Sequence, residues 1–141
     1  MTHPTLLPRR FGAMLYDLLV LAALWMLTAA LALSAVHGRV DVAHPPMVWE
    51  WSLRAALLGV SGLYFALSWH RGGQTIGMRA WRLRLHSLSG PGIRLPTALL
   101  RFVLASLSLA LAGAGFWWAW FDADHQTLHD RLCGTVMLKL P

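Results

Sequence analysis

Asp17 lies in "RRFGAMLYDLLVLAALWMLTAALALSAV", residues 9–36, a run that after its two arginines carries no other charge. A carboxylate in hydrocarbon needs a cation, hydrogen bonds or a proton. Arg101 is the only charge in a second such run, "LPTALLRFVLASLSLALAGAGFWWAWF", residues 95–121. Each residue falls six positions, about 9 Å along a helix, from the start of its apolar segment. Unpaired, each would cost up to about 2.5–3.5 kcal/mol at a bilayer centre, and less at this depth. The shared depth predicts an Asp17–Arg101 pair. In such a pair Asp17 could exchange a proton or cation while Arg101 favours its charged form.

Other polar residues fit this chemistry less well. Arg10 is on the same helical face as Asp17 but about 10.5 Å away along the axis, so it is expected to snorkel to the headgroups. Glu50 and Arg54 have the favourable i,i+4 order for a local ion pair. In "DADHQTLHDRLCGT", residues 122–135, Asp124 is placed to cap a short helix. His125 and His129 would share a face there, and with Asp122 or Asp130 resemble half a metal site. No residues complete that ligand set, so no metal is expected. "GGQTIG", residues 72–77, lacks the ending of a phosphate loop, and no nucleophilic triad is legible. Neither a cofactor nor enzymatic activity is expected.

These charges must be positioned by apolar elements. Of 141 residues 57% are hydrophobic and 13% charged, where soluble domains carry about 25% charge. Mean hydropathy is +0.52. The net charge of +6 sits beside apolar runs rather than on a soluble face, which favours membrane topology over nucleic acid. Cys133 is the only cysteine, so no internal disulfide can form. Three segments of spanning length, 11–36, 51–69 and 95–121, are expected to be helices, because bilayer-embedded backbone must satisfy itself. The first is too long for a signal-peptide core and contains Asp17, so it is expected to be retained.

The connections set the topology. Residues 37–50 hold one arginine, two acids and Pro45-Pro46, whereas residues 70–94 hold Arg71, Arg79, Arg82, Arg84 and Arg94 and no acid. The positive-inside rule makes the N-terminus and the second connection cytoplasmic. Trp49 and Trp51 would mark the outer interface, Trp69 the inner one, and Trp117, Trp118 and Trp120 the outer end of the third helix. In "RAWRLRLH", Trp81, Leu83 and Leu85 alternate with Arg82, Arg84 and His86, the period of a strand closed by the "SGPG" turn. Small residues at Ala55 and Gly59, and at Ser106, Ala110 and Ala114, offer helix-packing seams. Three spans put the C-terminus outside. The alternative is a return at "GAG", residues 113–115, with "TVMLKL" pairing with "AWRLRL". The three-span arrangement is preferred because "FWWAWF" is too short to recross about 30 Å.

Three pieces, "RRFGAMLYD", "GGQTIGMRAWRLRL" and "LHDRLCGTVML", resemble the RDD family of small bacterial membrane proteins in order and approximate spacing. They span residues 9–138. The family is named for an arginine and two aspartates, which fall on Arg10, Asp17 and Asp130. Arg101 matches a recurrent arginine early in the later helix. Cys133 departs from the small residues usual at its position. The resemblance implies a bacterial integral membrane protein whose relatives have been linked to transport of unassigned ligands and, in some, to sodium–proton exchange.

The expectation is one all-α membrane domain, residues 1–141, with three transmembrane helices and a β-hairpin-like basic connection between the second and third. It would sit in the bacterial inner (plasma) membrane among lipids, with a homo-oligomer or another membrane protein as partner. Its function would be movement of an ion or small solute, the alternative being a scaffold subunit that transports nothing.

Overall fold

A computed structural model describes residues 6–122 and 126–141. Helix α1, Leu7–Ala35, begins with proline in its first turn, where the missing N–H costs nothing. Helix α2, Met47–Gly72, follows Pro45-Pro46, with Glu50 in its first turn and His70 and Arg71 in its last, as the helix dipole favours. It ends at Gly73, φ +67°, where a Cβ would lie 2.6 Å from the Leu85 carbonyl oxygen. A short helix α3, Ile76–Ala80, and strand β1, Leu83–Ser87, complete the basic connection. Then come α4, Leu95–Ala110, α5, Ala114–Phe121, α6, Leu128–Leu132, and β2, Thr135–Lys139.

Only α1 is by itself long and apolar enough to cross a membrane, among the described residues. Leu15, Leu18, Leu19, Met26, Leu27 and Leu31 along it are exposed, which suits a lipid-facing helix rather than the core of a soluble domain. Helix α2 has the length, but Glu50, Arg54 and several polar residues dilute its apolar character.

The expected third span, 95–121, is not one helix. Ala112 (φ +54°) and Gly113 (φ +76°) adopt left-handed backbone, and α5 leaves α4 at 94°. Two successive left-handed residues cannot continue a right-handed helix. If the bent pair counts as one span, the described residues hold two by length and composition. The bend also removes Trp117, Trp118 and Trp120 from the end of a straight third helix.

In "RAWRLRLH", Arg79 and Ala80 belong to α3, Trp81 and Arg82 form a turn, and the strand reading holds from Leu83 onward, where Leu83 and Leu85 are buried and Arg84 and His86 exposed. Its partner, however, is not inside the basic connection. β2 pairs antiparallel with β1, Leu85 opposite Met137 and Ser87 opposite Thr135. This is the pairing of the return arrangement, and it puts the C-terminal strand on the same side as the basic connection. The preferred placement on opposite sides is therefore corrected. The ribbon and α3 close one end of the α1/α2/α4 bundle over a core that includes Ala13, Ala66, Trp69, Met78, Leu83 and Met137.

Close approach uses glycines other than the expected seams. A Cβ on Gly77 would collide with the Ala13 carbonyl oxygen, and one on Gly12 with the Trp81 ring. Ala55 and Gly59 are exposed, and a Cβ on Gly59 would meet open space.

Candidate functional site

The buried charges meet at the ribbon end of the bundle. Arg10, in the first turn of α1, is 6% exposed; Arg101, on α4, 3%; Asp130, on α6, 0%. Arg10 Nη1 donates to Asp130 Oδ2 at 2.5 Å and to Thr127 Oγ1 at 3.2 Å. Arg101 Nη2 and Nε donate to Asp130 Oδ1 at 2.5 and 3.2 Å. One carboxylate thus serves two guanidiniums, one on each oxygen. Burial opposes ionisation of Asp130, but Arg101 and Arg10 outweigh it and hold its carboxyl well below the usual carboxylate range.

The Arg101 guanidinium carbon also lies 4.4 Å from the centroid of the Trp69 ring, a cation–π contact. Trp69 was expected as an interfacial anchor; at 5% exposure it is a core residue instead.

Around the cluster, His129 shares a 3.0 Å hydrogen bond with Thr127 Oγ1 through Nε2 and packs edge-on against Phe116 of α5, centroids 4.8 Å apart. Burial, aided by Arg101, lowers its pKa from 6.5 to about 4, so the ring is neutral at pH 7. Asp122 accepts from Arg131 Nη1 at 2.5 Å and from the Gln126 amide at 3.1 Å, clipping together the ends of the segment between α5 and α6. The half metal site falls partly outside the described residues. Asp124 and His125 lie outside the described residues, Asp130 is occupied by arginines, and no group of three or more potential ligands occurs among the described residues.

Asp17 takes different partners from those expected. Its Oδ1 accepts from Tyr64 Oη at 2.7 Å and the Gly77 amide at 2.9 Å, and its Oδ2 from Thr75 Oγ1 at 2.6 Å. Tyr64 Oη in turn accepts from the Ile76 amide, and Thr75 Oγ1 caps α3 by accepting from the Met78 amide. Asp17 is therefore the anchor by which α1 holds the start of α3. The Asp17–Arg101 pair does not form: Arg101 shares the Asp130 carboxylate with Arg10, almost two turns of α1 from Asp17. Arg10 is likewise not at the headgroups, because the same carboxylate reaches it. The Glu50–Arg54 pair forms as read, on the exposed face of α2.

Asp17 and Arg101 nevertheless line one cavity of about 320 Å³ between α1, α2 and α4. Its walls include Leu21, Leu58, Phe65, Phe102 and Leu109, and Trp69 and His129 also face it.

These features define a small helical protein with at least one helix fit to cross a membrane, in which α1, α4 and α6 are joined by a buried charge cluster. The chain belongs to the RDD family, which it matches over residues 4–134. No curated protein and no solved structure matches it.

Proposed function

We propose that this chain is a multi-pass protein of the bacterial inner membrane that admits an ion or small solute to the cavity among α1, α2 and α4. The observation that carries this reading is that Asp17 and Arg101, charged residues on two apolar helices, line one cavity. Ionisable groups at such positions are costly and commonly mark ion or solute paths. In this reading α1 and α2 span, and the bent α4–α5 pair enters the membrane and returns, so that the N-terminus, the basic connection and the C-terminal strand are all cytoplasmic. Asp17 exchanges the proton or cation: two hydroxyls and an amide bind it, and hydroxyls can turn to serve either protonation state. Arg101, fixed by Asp130, is the positive wall. Three helices are a thin wall for a path, so the working unit is an oligomer. No chemical step is assigned, and the protein is read as a non-enzyme.

The test is flux. In proteoliposomes the purified protein should carry sodium or proton flux that Asp17→Asn abolishes; unchanged flux removes Asp17 from the path. A scaffold that transports nothing is the second reading, favoured by the satisfaction of Asp17 and Asp130 within the fold. It predicts no flux from either protein, and co-purification of a membrane partner.

A further inference from the structure

We propose that the cavity between α1, α2 and α4 binds a single-chain amphiphilic anion, its carboxylate at Arg101 and Trp69 and its tail along the apolar walls. This rests on the reading of the cavity as a binding site, and it names the class of solute.

The cavity has two chemically different ends. Leu21, Leu58 and Leu109 offer it hydrocarbon, Trp25 and Ser61 are bonded to each other, and Arg101, Trp69 and His129 bring polar groups near the ribbon. Its volume of about 320 Å³ is at the lower end for small-ligand sites, about 300–1,000 Å³. A single chain suits it better than a diacyl lipid.

What remains unsatisfied at the polar end is donor capacity. Trp69 Nε1 is buried without a hydrogen-bond partner among the described residues, and an indole nitrogen can only donate. Arg101 uses Nε and Nη2 on Asp130, leaving its Nη1 in no hydrogen bond among the described residues. A buried donor without a partner is costly, so a group that reached Trp69 Nε1 through a small shift of the ring would gain by accepting. His129 Nδ1 is also buried without a partner.

Charge gives the sign. Two guanidiniums share one carboxylate, so the cluster carries one positive charge in excess. Asp17 lines the same cavity and makes it neutral as a whole, so the positive excess is local to the Arg10–Arg101–Asp130 cluster; the Asp17 oxygens are held by Tyr64, Thr75 and Gly77. A ligand that accepts, carries one negative charge and presents a hydrocarbon tail suits the Arg101 cluster and the apolar walls, whereas a cation is drawn to Asp17 instead.

The experiment is thermal unfolding of the purified protein in a neutral maltoside detergent, titrated with dodecanoate, dodecyltrimethylammonium or acetate. Saturable stabilisation is expected from dodecanoate alone. Trp69→Phe keeps a ring beneath Arg101 but removes the N–H, and should raise the half-saturating dodecanoate concentration about tenfold. Equal effects of the two chains overturn the proposal, as does acetate matching dodecanoate, or no saturable effect of dodecanoate. These wild-type arms decide the matter even if Trp69→Phe fails to fold. Dodecanoate binding without any flux in proteoliposomes upholds the site while removing transport. Cation flux without dodecanoate binding does the reverse.

Discussion

Arg10 and Asp130 are 120 positions apart in the chain and 2.5 Å apart in the structure. That contact draws the C-terminal α6 onto the first turn of α1, and Arg101 grips the other oxygen of the same carboxylate. Removing the carboxylate charge would leave two guanidiniums facing each other in a buried site. Asp130→Asn is therefore expected to destabilise the protein by about 3–5 kcal/mol, the range for breaking a buried ion pair. Asp17→Asn should cost clearly less, because an amide oxygen can still accept from Gly77. Thermal midpoints of the two variants in detergent compare them directly; equal losses would show that the arginine clamp does not hold α6.

Much of this was legible in the sequence, and what was missed has a specific cause. The apolar run of α1, the alternation from Leu83 to His86 and the Glu50–Arg54 spacing are local signals, and each feature forms where its residues point. Counting depth from the segment starts paired Asp17 with Arg101, whereas Arg101 meets the carboxylate that Arg10 holds. The partner of Arg101 comes from α6, which follows the turn at the left-handed residues Ala112 and Gly113. Their effect on chain direction has no counterpart in hydropathy. The Thr75 cap of α3 had a local signal, a threonine just before a short helix, but Tyr64 reaches Asp17 only through helix packing.

The β1–β2 pairing makes a topological prediction. Cys133 and the exposed turn at Gly90 should lie on the same side of the membrane, since Leu88 N bonds to Gly134 O beside them. Gly90→Cys in a Cys133→Ser background places a thiol where a side chain meets open space. Burial raises the Cys133 thiol pKa, so labelling is best run at alkaline pH. An impermeant thiol reagent is expected to modify both proteins only after lysis. Labelling of one in intact cells and not the other would break the pairing.

The contact between α1 and α3 predicts a contrast between two glycines. Gly77→Ala would drive a methyl group against the Ala13 carbonyl oxygen, displacing α3 and its amide from Asp17. Gly59→Ala adds a methyl in open space on a helix and should be neutral or stabilising by up to about 1 kcal/mol. Thermal unfolding of the two variants tests this, and a Gly77→Ala protein as stable as the wild type would mean that α3 does not seat on α1 this closely.

Acid sensitivity should originate at His129. Its folded-state pKa, about 4, is below the 6.5 of an exposed histidine, because burial and the neighbouring Arg101 and Arg10 disfavour its charged form. The unfolded chain therefore binds a proton between these values that the folded protein does not. Stability is full above pH 6.5 and falls as pH drops from 6.5 through 4, by up to on the order of 3 kcal/mol. Asp130, also lowered, adds a further loss only below the ordinary carboxylate range. His129→Gln removes the titrating ring, so its unfolding midpoint should be nearly flat between pH 6.5 and 4.5 while that of the wild type declines. Parallel decline of the two would assign the acid response to another group.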